Sequence, residues 1–87
     1  MTQTERTIQR LQKQFPQIWM KPGLEFAAAY DNTIWTGEGS QIRDQPAFCS
    51  WGYSRTGGVH PDLVRALDRL DLYADFYDAG TVFIRPR

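Results

Sequence analysis

The stretch YADFYDAGTVFIRPR constrains the fold more than any other part of this chain. Two runs rich in aromatic and β-branched residues flank Asp78-Ala79-Gly80, a three-residue connection with glycine where a left-handed conformation is needed. This pattern predicts a β-hairpin. Because a hairpin pairs its strands antiparallel, the chain is expected to contain an antiparallel sheet.

The register of this hairpin assigns its side chains to two faces. Phe76 lies opposite Val82, and Ala74 lies opposite Ile84, on the face that is predicted to join the core. The other face carries Tyr73, Asp75, Tyr77, Thr81, Phe83 and Arg85.

The first helix is predicted at Gln3–Gln14. Ile8 and Leu11 share one face there, opposite basic side chains, which is typical of an amphipathic surface helix. Thr2 and Glu5 have the spacing of a capping box, in which each side chain binds the other residue's backbone amide.

The second helix is predicted at about Pro61–Asp71. Pro61 suits the first helical position. The residue before it, His60, occupies the N-cap, where its ring can accept a hydrogen bond from a backbone amide. Leu63 and Leu67 belong to the stripe that would be buried.

Strands are predicted between the two helices. Residues 17–38 are interpreted as strands joined by tight turns at Pro22-Gly23 and Asp31-Asn32. A short helix through the alanines is the alternative for Leu24–Tyr30, because alanine is the best helix former. After a polar loop, the alternation of residues 46–54 predicts a fourth strand with Cys49 on its inner face.

Together these elements predict one α+β domain over residues 1–87. Its antiparallel sheet would have four to six strands with two helices on one face, in the order α-β-β-β-β-α-β-β. Hydrophobic residues at 41% and aromatic residues at 14% are ample for a folded core. A chain of this length can form only one hydrophobic core.

The net charge and the cysteine count indicate which kinds of partner and which cellular compartment to expect. Ten basic and ten acidic residues give a formal net charge of zero, so no global field draws the chain to nucleic acid or to a membrane surface. The single cysteine excludes an internal disulfide and fits a reducing compartment. With charges near the N-terminus and no long apolar run, the chain is predicted to be cytoplasmic and not membrane-bound.

Cys49 and His60 are the residues that could suggest catalysis. An imidazole can lower the pKa of a thiol, so a small cysteine- and histidine-dependent enzyme is one hypothesis. A structural role for each explains the pattern better: Cys49 is in phase with the buried side of a strand, and His60 caps a helix. The prediction is therefore no enzyme, no catalytic residue, no metal site and no cofactor.

A nucleic-acid interface is a further alternative. Tyr73, Tyr77 and Phe83 beside Arg85 resemble the stacking platforms that bind single strands. However, Asp75 lies in the middle of the same face and would repel a phosphate backbone. Nucleic acid is therefore the less favoured partner, and a contact with the first helix or with another chain is favoured for this face.

The chain has more large aromatic side chains than a small core can hold, and exposed Trp, Tyr and Arg are the residues that anchor protein interfaces. We therefore predict a non-catalytic protein-binding module that uses an exposed aromatic sheet face and the loop before the second helix. Self-association is an alternative to a separate partner. The candidate binding residues are Tyr73, Tyr77, Phe83, Arg85, Trp51, Tyr53, Arg55 and His60.

The runs WTGEGSQI, GGVHPDLVRAL and YADFYDAGTVFI, in a compact layout, resemble the small uncharacterised proteins encoded by phages and prophages. The resemblance covers the C-terminal two-thirds of the chain. It implies an accessory protein that binds a host or phage component, and it implies no catalytic residue.

Overall fold

The computed structural model describes residues 2–49 and 51–87. Helix α1 spans Gln3–Gln14 and helix α2 spans Pro61–Arg69. Within the described residues, the strands are β1 Lys21–Pro22, β2 Ile34–Gly37, β3 Gln41–Ile42, β4 Gln45–Pro46, β5 Leu72–Asp78 and β6 Thr81–Pro86. This order confirms the predicted α+β class.

The main sheet is antiparallel and has the strand order β1-β2-β6-β5, while β3 and β4 form a separate small hairpin. Strand β6 is therefore central although it comes last along the chain. Its Ile84 pairs with Ile34 of β2 and with Ala74 of β5, so these three side chains share one face of the sheet.

That face packs against both helices. Leu11 of α1 and Leu63 and Leu67 of α2 are buried in one cluster with Ile34 and Ile84. Together they form the main core, with both helices on one side of the sheet as predicted.

The start of α1 matches its sequence pattern. The Thr2 hydroxyl accepts from the Glu5 amide at 3.1 Å, and the Glu5 carboxylate accepts from the Thr2 amide at 3.1 Å. This capping box confirms the predicted boundary. The hydrogen bond from the Thr2 amide also lowers the pKa of Glu5, because it favours the charged carboxylate.

The C-terminal hairpin is confirmed, with a shorter loop than predicted. Phe76 pairs with Val82 and Ala74 with Ile84, as the pattern indicates. Asp78 itself pairs with Thr81, so only two residues form the turn. The Asp78 carboxylate accepts from the Gly80 amide at 2.9 Å. Gly80 is not among the residues with positive φ, so the prediction of a left-handed conformation at this residue is wrong.

The strand predicted at Leu24–Tyr30 is wrong. Two short 3₁₀ helices, Gly23–Glu25 and Ala28–Tyr30, occupy this segment, which is closer to the helical alternative. Pro22-Gly23 is not the centre of a type II turn either, because Gly23 lacks the positive φ that such a turn requires. The Gly23 amide instead donates to the Thr33 carbonyl at 2.8 Å and starts the first 3₁₀ helix.

The strand predicted over residues 46–54 is also wrong. It is limited to the end of β4 and one isolated bridge between Phe48 and Val59, after which the chain turns. The alternation breaks because Ala47 is fully buried while Trp51 is exposed. Ser50, which belongs to this predicted strand, lies outside the described residues.

Candidate functional site

The predicted aromatic face of the hairpin is largely covered by the chain itself. Phe83 is fully buried, because the segment Gly23–Tyr30 folds over it. The Tyr30 ring stacks on Phe83 with a centroid distance of 4.0 Å and an interplanar angle of 8°. The expectation that Phe83 is exposed for binding is therefore wrong, since its ring is buried in a second apolar layer.

Phe26 holds this layer together. Four rings surround it edge to face at centroid distances of 5.1 to 5.5 Å. They belong to Tyr30, Trp35, Tyr77 and Phe83. We refer to these five residues as the aromatic layer. Edge-to-face pairs of this kind add stability beyond the area that they bury.

Sequence reasoning missed Phe26, Tyr30 and Trp35 as members of this layer. One signal bears on two of them: Phe26 and Tyr30 are four residues apart, a spacing that favours the helical alternative for this segment over a strand. The alternating pattern of Leu24, Phe26 and Tyr30 favoured a strand and concealed this spacing.

Parts of the hairpin face remain accessible. Tyr77 is 56% exposed and Tyr73 is 40% exposed. Arg85 donates to the Asp75 carboxylate at 2.9 Å, and its guanidinium lies over the Tyr30 ring, 5.5 Å from the centroid. Asp75 is therefore paired within its own face, and Arg85 is held against the aromatic layer.

A second accessible surface is the loop between β4 and α2, described for residues 47–49 and 51–60, which we call the Trp51 loop. Trp51 is 87% exposed, the highest value among the large hydrophobic residues that the structure describes. Arg55 is exposed beside it in sequence. Tyr53 is half-buried, and its hydroxyl donates to the Pro46 carbonyl at 2.7 Å. The structure thus places Trp51, Tyr53 and Arg55 on one loop and keeps Tyr73, Tyr77 and Arg85 on the hairpin.

Backbone hydrogen bonds fix the shape of the Trp51 loop. The His60 amide donates to the Ala47 carbonyl at 2.8 Å, and the Cys49 amide donates to the Gly58 carbonyl at 2.7 Å. Inside this closure, the Tyr53 carbonyl accepts from the Gly58 amide at 2.9 Å. The loop is therefore a closed, hydrogen-bonded unit rather than an extended connection.

His60 is the N-cap of α2, as predicted. Its Nδ1 accepts from the Asp62 amide at 3.1 Å, and its Nε2 lies 3.0 Å from the Gln45 side-chain oxygen. The residue is buried, and the Tyr53 ring lies edge-on to the imidazole. Both ring nitrogens thus have local partners, so a partner protein would not reach this side chain directly.

Cys49 is half-buried, so its assignment to the inner face of a strand is wrong. It lies where the chain turns toward Trp51, with its carbonyl accepting from the Gly52 and Tyr53 amides. Among the described residues, the structure gives no hydrogen bond between the Cys49 thiol and His60.

Replacing His60 tests its capping role. We expect His60→Ala to lower the free energy of unfolding by about 2 kcal/mol, because it removes an N-cap and the packing of a buried ring. His60→Asn should lose about half as much, since an asparagine oxygen can still accept the Asp62 amide. Urea unfolding of the three proteins measures the difference. Equal losses in both variants would contradict the capping role.

The basic side of α1 borders a groove of about 830 Å³ that reaches the end of α2. Arg6 and Arg10 line it, and neither forms an ion pair among residues 2–49 and 51–87. A smaller depression nearby contains Asp62, which binds both Arg43 and Arg65. The hydrogen bond from Arg43 lowers the pKa of Asp62 below its ordinary value of 3.8.

Comparison with protein-family models, with curated proteins and with solved structures found no match to this chain. In the part of the chain that the structure describes, no cluster of three or more His, Cys, Asp or Glu side chains is placed to hold a metal ion. Across the same residues, neither helix has the length and apolar character needed to cross a bilayer.

Proposed function

We propose that this chain is a non-catalytic protein-binding module whose main contact is Trp51. The observation that carries this proposal is the 87% exposure of the Trp51 side chain. Tryptophan has the largest apolar surface to bury, and it is among the residues most enriched at the energetic centres of protein interfaces. Leaving such a side chain in water is unfavourable unless another surface covers it.

The shape of the Trp51 loop supports the same function. Binding costs conformational entropy when a flexible loop must become ordered, and a loop that is already closed by hydrogen bonds avoids part of this cost. The bonds from His60 to Ala47 and from Cys49 to Gly58 provide this closure. Arg55, exposed on the same loop, adds a residue type that is common in protein interfaces.

The environment of His60 favours binding over catalysis. A general base needs a ring nitrogen that can take a proton from the nucleophile. In His60, Nδ1 already accepts the Asp62 amide and Nε2 faces Gln45. The cysteine- and histidine-dependent enzyme is therefore the weaker hypothesis.

The aromatic layer weakens the nucleic-acid hypothesis. A stacking platform needs ring faces that are open to the bases. The face of Phe83 is covered by Tyr30, and the Tyr30 ring in turn lies beneath Arg85. The resemblance to phage and prophage proteins and the cytoplasmic location stay predictions.

Photo-crosslinking from the Trp51 loop tests the proposal. With p-benzoylphenylalanine in place of Arg55, we expect one dominant crosslinked protein in cells of the source organism. Adding Trp51→Ala should abolish this product, and adding Tyr77→Ala, which truncates an exposed aromatic side chain on the C-terminal hairpin, should not. For the purified pair, Trp51→Ala should raise the Kd by about 30-fold or more, which corresponds to the loss of a principal contact.

Two results would overturn the proposal. One is a crosslinked product that is insensitive to Trp51→Ala, which would place the interface elsewhere. The other is the absence of any discrete product while the same probe at position 55 leaves the fold intact by circular dichroism.

A further inference from the structure

The two edges of the main sheet differ in how they are protected. The edge strand β1 has only two residues, one of which is Pro22. The opposite edge strand, β5, has seven residues, Leu72–Asp78, with neither proline nor lysine. Short strands, proline and lysine are the common devices that stop edges from pairing with other chains. The one irregularity that the structure gives in β5 is a register shift between Phe76 and Asp78 at the turn end, so Leu72–Phe76 is left as a regular edge without these devices.

The register shows which backbone groups of β5 point outward. The Arg87 amide donates to the Asp71 carbonyl at 3.0 Å, which makes these two residues a hydrogen-bonded position of the ladder. Hydrogen-bonded positions alternate along an antiparallel pair, so Tyr73 and Asp75 also point their backbone groups toward β6. The amides and carbonyls that point away from the sheet belong to Leu72, Ala74 and Phe76.

These outward groups are unpaired within the described residues. Backbone hydrogen bonds outside the regular elements do not reach Leu72, Ala74 or Phe76, and neither do the side-chain hydrogen bonds. Asp75, whose charge could discourage a neighbour, is already paired with Arg85 of its own chain. The outer edge of β5 therefore presents three free donor and acceptor positions in one row.

The core is also incompletely covered along this side of the domain. The partly buried apolar side chains around the core cluster all belong to β5, to α2 and its C-terminal end, or to the Trp51 loop: Phe48, Val64, Leu70, Leu72, Ala74 and Phe76. Phe48 and Phe76 contact each other edge to face, with centroids 6.1 Å apart. The residues of α1, β2 and β6 in the same cluster are, by contrast, buried.

We propose that β5 pairs antiparallel with β5 of a second copy of this chain, about a two-fold axis at Ala74. The small Ala74 side chains then meet at the axis. On the helix side, Leu72 lies opposite Phe76 of the second copy, which extends the apolar core across the interface. On the other side, Tyr73 lies opposite Asp75 of the second copy, so that the phenol can donate to the carboxylate.

The neighbouring registers are less favourable because they bring like charges together. An axis at Asp75 would place two Asp75 carboxylates directly opposite each other. An axis at Tyr73 would place Asp71 opposite Asp75 of the second copy. Like charges at directly opposed positions destabilise a strand pair. The Ala74 register avoids both arrangements and leaves the two strands self-complementary, as a two-fold interface requires.

Light scattering after size exclusion tests this pairing. We expect a mass of twice the 10.1 kDa of one chain at high micromolar concentration. Ala74→Pro should give the single-chain mass, because it removes the amide at the axis. The fold should survive, since that amide points away from the sheet. Trp51→Ala should remain dimeric, which separates this proposal from the proposed function of the Trp51 loop.

A crosslinking experiment keeps the test decisive if Ala74→Pro fails to fold. In a Cys49→Ser background, a mixture of the Tyr73→Cys and Asp75→Cys chains should form a disulfide-linked pair. The two positions face each other at a separation within disulfide range. Either variant alone should crosslink much less. A single-chain mass at all concentrations, or a dimer in which the mixture crosslinks no better than either variant alone, would overturn the proposal.

Discussion

Phe83→Ala is expected to lower the free energy of unfolding by about 3 to 5 kcal/mol, the range for truncating a buried aromatic side chain. Phe83 is fully buried, stacks on Tyr30 and contacts Phe26 edge to face at 5.1 Å. Alanine would therefore leave a cavity beneath the segment that covers the sheet. Because small domains have total stabilities of only about 5 to 15 kcal/mol, this one change could remove most of the folding free energy.

The measurement is urea unfolding followed by tryptophan fluorescence. Phe83→Leu fills part of the cavity, so it should give an intermediate loss and keep the comparison measurable if the alanine variant is unfolded. Tyr77→Ala is the matched control, because Tyr77 belongs to the same layer but is 56% exposed. It should cost less than about 1 kcal/mol, the usual size for an exposed position. Similar losses for Phe83→Ala and Tyr77→Ala would contradict the buried position of Phe83.

Gly23→Ala is expected to cost about 2 to 3 kcal/mol, the upper part of the range for overpacking a tight site. A methyl group on Gly23 would overlap the Thr33 hydroxyl and the Tyr30 carbonyl oxygen. Thr33 cannot easily move, since its hydroxyl donates to Tyr30 at 2.6 Å and its carbonyl accepts the Gly23 amide. The added methyl should push the segment Gly23–Tyr30 away from the sheet. Near-ultraviolet circular dichroism should lose intensity, because the rings of the aromatic layer would no longer be fixed.

Gly57→Ala separates crowding from backbone strain. Gly57 has φ +65 and open space around its α-carbon. An alanine there would therefore be destabilised only by the strain of the left-handed backbone conformation. The expected cost is about 1 kcal/mol, with the near-ultraviolet spectrum unchanged. A wild-type spectrum for Gly23→Ala would contradict this prediction, because it would show that the tight contact of Gly23 with Thr33 and Tyr30 does not position the segment Gly23–Tyr30.

The elements with strong local signals could be predicted from the sequence. The capping box fixed the start of α1, and Pro61 after His60 fixed the start of α2. The alternation around Phe76 and Val82 gave the hairpin register. In each case residues close in sequence contain the whole signal, and the tertiary structure agrees with it.

The candidate site was harder to predict because its contacts are long-range. Phe83 looks exposed when the hairpin is considered alone, and only the packing of Phe26 and Tyr30 from a distant segment buries it. Similarly, Ala47 and Trp51 alternate like strand residues, yet after β4 the described residues up to α2 form only one isolated bridge, between Phe48 and Val59. Alternation indicates a strand only when a partner strand is available, and a single sequence does not show the partner.

The central position of β6 has a consequence for the order in which the domain folds. Its Ile84 pairs with Ile34, and its Phe83 supports the aromatic layer, so both faces of the sheet depend on the last strand along the chain. During synthesis, β2 remains without its main neighbour until β6 has been made. The segment Gly23–Tyr30 likewise cannot pack on Phe83 before then. The two helices can form early from local contacts, whereas the sheet is completed in one late step. We therefore expect a nascent chain to leave the edge of β2 that later pairs with β6 exposed until β6 has been synthesised.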